Sequence, residues 1–166
     1  KNIFTKSLTA FPLGEPYDAN GNINVNYIEG ETSPFGDEIE DQYADETRTT
    51  YANINAYVEL TLLKGLTFRS QISTNLNNAR NGKYVGTHSL QGVENGYSAP
   101  YSYISNYYGY SYAWDNVLTY DVEPVKGHKL TLTGVTSWNK GQSDNNNMRA
   151  SGQPLDSYLF HNMASG

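Results

Sequence analysis

The side chains best equipped for chemistry in this chain are aromatic rings and amides. Tyr97, Tyr101, Tyr103 and Tyr107 crowd one stretch and run on into Tyr108, Tyr110, Tyr112 and Trp114. Aromatic faces stack on sugar rings and phenol hydroxyls hydrogen-bond to ligands; the same residues also suit an interfacial girdle and loop packing. Tyr97, Tyr101, Tyr103 and Tyr107 are taken as the ligand-binding set. A second cluster is Tyr57, Glu59, Arg69 and Gln71, which flanks Leu63-Lys64-Gly65. If that tripeptide is a turn, Glu59 and Arg69 face each other as a cross-strand ion pair. The acidic run Asp37-Glu38-Ile39-Glu40-Asp41, with Asp45 and Glu46, offers oxygen ligands to a hard cation but lacks EF-hand spacing, so a solvated loop is the simpler reading. Asp144-Asn145-Asn146-Asn147 could bind sugar hydroxyls or a cation, or form a loop tip. His88, His128 and His161 show no ligand spacing, and no metal site or cofactor is assigned. No paired-carboxylate motif, phosphate loop or nucleophile elbow occurs, so no catalytic residue is assigned and the chain reads as a non-enzyme.

Composition narrows the class. The chain has 166 residues, enough for one domain with a core. Only 37% are hydrophobic, 15 of them Tyr, below the usual ~45–50% of soluble domains. Two readings survive: a soluble β protein with a thin core, or a barrel wall with one face toward lipid and one toward a polar lumen. A net charge of −6 argues against nucleic-acid binding. The absence of cysteine excludes disulfides and thiol chemistry. No apolar run is long enough for a spanning helix, no leader peptide is visible, and the chain reads as a fragment.

Alternation is the strongest pattern. From Tyr51 to Leu62 the even residues Ala52, Ile54, Ala56, Val58, Leu60 and Leu62 are all apolar, while the odd ones are mostly polar. After Leu63-Lys64-Gly65, Leu66, Phe68, Ile72 and Leu76 oppose Thr67, Arg69, Gln71, Ser73, Asn75 and Asn77. A strand sends successive side chains to opposite faces, so this is a long two-faced hairpin. A second hairpin follows, with a turn over Glu123–Gly127 and the aromatic side of its first strand facing out. The expected organisation is loop 1–47, hairpin 48–77, loop 78–107, hairpin 108–138 and loop 139–166. Short β segments are expected near Lys1–Thr9 and Ile23–Ile28, and no helix. Short turns alternating with long connections suit an outer-membrane barrel, whose strands need roughly 9–11 residues to cross.

Three stretches resemble the SusC/RagA-type TonB-dependent outer-membrane transporters of Bacteroidetes: Phe11–Asn22, Ile54–Ser70, and Tyr112–Tyr120 followed by Gly127-His128-Lys129-Leu130. The resemblance covers most of the chain. It implies an all-β fold of antiparallel strands and long hairpins, part of a large transmembrane β-barrel with long extracellular loops. It further implies import of glycan oligosaccharides or peptides across the cell outer membrane, a SusD-like surface lipoprotein as partner, contact with outer-membrane lipid, and energy from the TonB complex acting on a plug that this stretch lacks. Leu63-Lys64-Gly65 would then be a periplasmic turn, even residues 52–62 would face lipid, and Tyr57, Glu59, Arg69 and Gln71 would face the lumen. The competing reading is a soluble or surface-anchored β-sandwich that binds glycans through Tyr/Asn-rich loops. It requires Ile54, Val58, Leu60, Phe68, Leu130 and Leu132 to bury one another in a single core.

Overall fold

A computed structural model of the chain describes residues 5, 6, 8, 10, 13–26 and 31–166. Four strands dominate it: β1 (Tyr43–Leu63), β2 (Leu66–Val85), β3 (Tyr101–Val125) and β4 (His128–Ser151). They form one sheet in the order β1-β2-β3-β4, each antiparallel to the next. The strands run 20–25 residues, well beyond the stretches the sequence predicts. The first hairpin begins at Tyr43 rather than 48 and ends at Val85 rather than 77. The connection expected over 78–107 contracts to 86–100, and β4 continues through the stretch expected to loop from 139.

The extra length comes from residues whose composition reads as loop. Asn81 Nδ2 donates to Asp45 Oδ1 (2.8 Å) and Thr47 Oγ1 (3.0 Å). Tyr103 Oη donates to Asn147 Oδ1 (2.9 Å), so the Asp144–Asn147 stretch is strand and not a loop tip. Such pairs favour a ladder despite poor strand propensity. A short helix, α1 (Leu90–Glu94), was not expected; at five residues it is too short to display a helical period. Ser89 caps it, its Oγ accepting from Gly92 N at 3.0 Å. Part of the acidic run is built in rather than solvated: Asp37 is buried and accepts from Leu90 N at 2.9 Å. Of the short β segments, Thr5, Lys6 and Leu8 are helical and Ile23 forms one bridge, with Tyr17. The remaining residues of Lys1–Thr9, with Tyr27 and Ile28, lie outside the described residues.

Register decides which side chains share a face. Asn53 pairs with Asn75, Asn75 with Ser111, Asp115 with Ser137, and Asp121 with Thr131. Every partner joins odd to odd. Trp114 to Ser70, Tyr110 to Gln142 and Tyr112 against Trp138 join even to even. A two-residue turn would set odd residues opposite even ones. A three-residue turn preserves parity, so the hairpins close through Leu63-Lys64-Gly65 and Val125-Lys126-Gly127. The last residue of each is glycine in the left-handed region, at φ +81° and +89°, as three-residue hairpin loops require. The turn predicted over Glu123–Gly127 is therefore shorter, with Pro124 at the end of β3.

The two glycines are not equivalent. A Cβ at Gly65 would overlap the Asp121 carbonyl oxygen, which belongs to the next strand, whereas Gly127 has open space. Gly127→Ala is expected to cost only the left-handed backbone, about 1 kcal/mol. Gly65→Ala should cost about 3 kcal/mol, because backbone must also move. Urea unfolding midpoints of the two variants check this; equal shifts would place Gly65 away from β3.

The chain forms two compact units. Unit 1 holds Lys1–Arg48, Arg80–Asn106 and Asn146–Gly166; unit 2 holds Thr49–Ala79 and Tyr107–Asn145. In unit 1 the even face is covered by the chain itself. Tyr84, Ile104 and Phe160 are buried together, with Ala44, Leu159 and Met163 against them. In unit 2 the even face is bare. Ile54 is 59% exposed, Val58 60%, and Leu60, Leu130 and Leu132 are likewise exposed. Among the described residues there is no second sheet. The mutually buried core that a sandwich requires is therefore absent.

Candidate functional site

The odd face of unit 2 gathers the polar side chains. Arg69 extends over the Tyr57 ring, its guanidinium carbon 4.1 Å from the centroid, and donates to Gln71 Oε1 at 2.9 Å. Gln71 Nε2 continues to Ser73 Oγ at 3.4 Å. The expected Glu59–Arg69 ion pair does not form among the described residues. The planar guanidinium instead takes a ring face and an amide oxygen on its own side of the sheet, an arrangement suited to arginine. Glu59, Arg69 and Gln71 still line one open recess of about 590 Å³, together with Asp115, Thr119 and Ser137. It presents acceptors, donors and both charges.

A second recess on this face, about 580 Å³, is lined by Tyr51, Asn75, Asn77, Tyr107, Ser111 and Ser143, with Gly109 and Gly141 leaving its floor flat. Its lining is uncharged. Asn77 Oδ1 is buried there without a hydrogen-bond partner among the described residues. Tyr107 thus stands with Tyr51, Asn75 and Asn77, which the sequence placed on a polar face without singling out. Strand parity was the signal that groups them.

The four tyrosines expected to bind ligand are divided between the two units. In unit 1 Tyr97 and Tyr101 form a tilted pair with centroids 6.3 Å apart. Tyr103 is engaged by Asn147 and lies 5.6 Å from the Arg149 guanidinium carbon. Tyr107 belongs to unit 2.

Unit 1 carries a separate polar network that anchors its connections. Asp156 accepts from Gln42 Nε2 (2.6 Å) and from Tyr84 Oη (2.5 Å). Gln42 Oε1 in turn accepts from His88 N at 2.9 Å, and its carbonyl from Gly86 N at 2.7 Å. Burial pushes the Tyr84 phenol above its ordinary pKa, and the hydrogen bond and charge of Asp156 act in the same sense. Asp156→Ala strands two donors and is expected to cost about 1–3 kcal/mol. Faster amide exchange at Gly86 and His88 checks it; unchanged exchange would show that Asp156 anchors nothing.

No group of three or more His, Cys, Asp or Glu is arranged for a metal among the described residues. The arrangement supports binding through hydroxyl, amide and ring contacts.

These features define an all-β chain: one four-stranded antiparallel sheet with a polar face and, in unit 2, an uncovered apolar face. That fold is similar to part of the chains in solved structures of a peptide transporter. The structure of the RagAB peptide transporter matches with a TM-score of 0.70 at 19% identity. The RagAB peptide importer matches in its "closed-closed" state (TM-score 0.70, 20% identity) and its "open-open" state (0.70, 19%). Each match covers 91% of this chain and 16% of the other, so the chain spans about one sixth of their length. At this identity the likeness is one of fold. No protein-family model matches the chain, and no curated protein matches it.

Proposed function

We propose that this chain is a stretch of barrel wall in an outer-membrane, TonB-dependent transporter of the SusC/RagA type. One observation carries the reading: in unit 2 the cross-strand pairs join odd residues to odd and even to even, and its even face is apolar and uncovered. Water would penalise that face; lipid would not. Both outer strands, β1 and β4, are long and unpaired on one side, as a barrel segment's must be where its neighbours continue the ladder. The fold likeness to peptide transporter chains agrees.

On this reading the segments of unit 2 cross the membrane and the two glycine turns lie at the periplasmic side. The long connections of unit 1 lie outside the cell. Tyr57, Glu59, Arg69 and Gln71 face the lumen. The cargo is a peptide or a glycan oligosaccharide, delivered by a SusD-like surface lipoprotein, and TonB supplies the energy through a plug that this stretch lacks. Tyr97, Tyr101 and Tyr103 stand on the outer side and Tyr107 on the lumen wall, where cargo passes.

Uptake of labelled oligosaccharides and labelled peptides by cells with and without the intact protein tests the proposal. Deletion should abolish uptake of one cargo class, and loss of TonB should do the same. Full uptake of both classes in the deletion strain would refute it.

A further inference from the structure

The uncharged recess on the odd face of unit 2 is built from one ring, one relay of amides and one orphaned acceptor. Its volume of about 580 Å³ falls within the roughly 300–1,000 Å³ of small-molecule sites. The Tyr107 ring leans along β3 until its hydroxyl end lies over Gly109: a Cβ at Gly109 would come within 2.7 Å of Tyr107 Oη. Gly109 is buried and Tyr107 half-buried, so the ring is backed by the strand on one side and faces the recess on the other. The relay enters from β1. Asn55 Nδ2 donates to Asn53 Oδ1, Asn53 Nδ2 to Asn75 Oδ1, and Asn75 Nδ2 to Ser111 Oγ. All three bonds run the same way, so Ser111 Oγ ends the relay as an acceptor, and its own proton is spare among the described residues. Asn77 Oδ1 is a buried acceptor with no partner among the described residues.

We infer that this recess is a subsite for one ring of an uncharged oligosaccharide, with Tyr107 as its stacking platform and Ser111 and Asn77 as partners for its hydroxyls. A pyranose offers apolar C–H faces to an aromatic ring, and each of its hydroxyls both donates and accepts, matching a spare donor beside a spare acceptor. An extended peptide finds less here, because such peptides are held through main-chain ladders or charged termini. β2 and β3, which carry Asn75, Asn77, Tyr107 and Ser111, are the inner strands and are already paired on both sides. The charged Glu59, Arg69 and Asp115 belong to the other recess. The inference rests on the barrel-wall reading, which turns the odd face to the lumen, and it selects one of the two cargo classes that reading allows.

Isothermal titration calorimetry on the intact protein in detergent micelles tests it, with hexasaccharides of glucose, mannose and galactose, a hexagalacturonate and a hexaalanine peptide as probes. At least one neutral hexasaccharide should bind, and more tightly than the charged sugar or the peptide. Tyr107→Ala should weaken that binding about tenfold, the scale of one ring contact or hydrogen bond, whereas Tyr107→Phe, which keeps the ring, should retain most of the affinity. Gly109→Ala, which lifts the ring off the strand, should weaken binding in the same direction as Tyr107→Ala. Heat-modifiable gel migration shows that each variant is folded. Unchanged affinity in folded Tyr107→Ala, no binding of any neutral hexasaccharide, or equal or tighter binding of the charged sugar or the peptide would overturn the inference. Failure of the barrel reading shows separately, as water access to the even residues of unit 2.

Discussion

Val58→Arg in the intact protein is expected to destabilise the folded membrane form by about 2–4 kcal/mol, whereas Gln71→Arg should be nearly neutral. The two positions lie on neighbouring strands of unit 2 and differ in parity. Val58 is 60% exposed with respect to this chain, on the even face beside Ile54 and Leu60. An arginine there loses its hydration in hydrocarbon and gains no partner. Gln71 lies on the odd face, within a row that already carries Arg69 and Ser73, so a further guanidinium remains hydrated or hydrogen-bonded. Urea unfolding in lipid vesicles reads both. Equal and small costs would mean that the even face meets water.

The second large effect concerns unit 1. Phe160→Ala should cost about 3–5 kcal/mol, and Gly82→Val should approach it, because both empty or block the same place. Phe160 is 4% exposed and shares its core with Tyr84 and Ile104. A Cβ at Gly82 would run into the Phe160 ring. The ring packs the stretch after β4 against the sheet, beside the hydrogen bonds of Gln153 to Ser102 Oγ and of Asp156 to Gln42 and Tyr84. Limited proteolysis should therefore cut residues 153–166 much faster in either variant. Resistance equal to the parent would show that the stretch is held by its hydrogen bonds alone.

The alternation of Ala52 through Leu62 against Asn53 through Thr61 was legible because one face is uniformly apolar, and period-two burial leaves that trace in composition. Both turns were legible from Lys-Gly. Strand ends were not. Asn81, Ser143 and Asn147 have loop-like composition, and only register reveals that Asn81 meets Asp45 and Thr47 and that Asn147 meets Tyr103. The candidate site was half legible. Parity placed Glu59, Arg69 and Gln71 on one face, but charge alone pointed Arg69 at Glu59. The actual contact is the Tyr57 ring, a choice set by side-chain reach within the sheet. The division of the tyrosines was not legible, because nearness in sequence does not fix which unit a residue joins: Tyr97 and Tyr107 are ten residues apart and fall in different units.

The central claim is that the even face of unit 2 meets lipid and the odd face meets water. These 166 residues hold no cysteine, so single cysteines can be introduced in them one at a time once any cysteine elsewhere in the intact protein has been replaced. Nitroxide labels at positions 54 through 60 and 67 through 73 of the intact protein in lipid bilayers should alternate. Even positions should collide preferentially with oxygen, and odd positions with a water-soluble nickel chelate. The same preference at neighbouring odd and even positions, or ready access of the chelate to positions 54, 58, 60 and 72, would contradict the account.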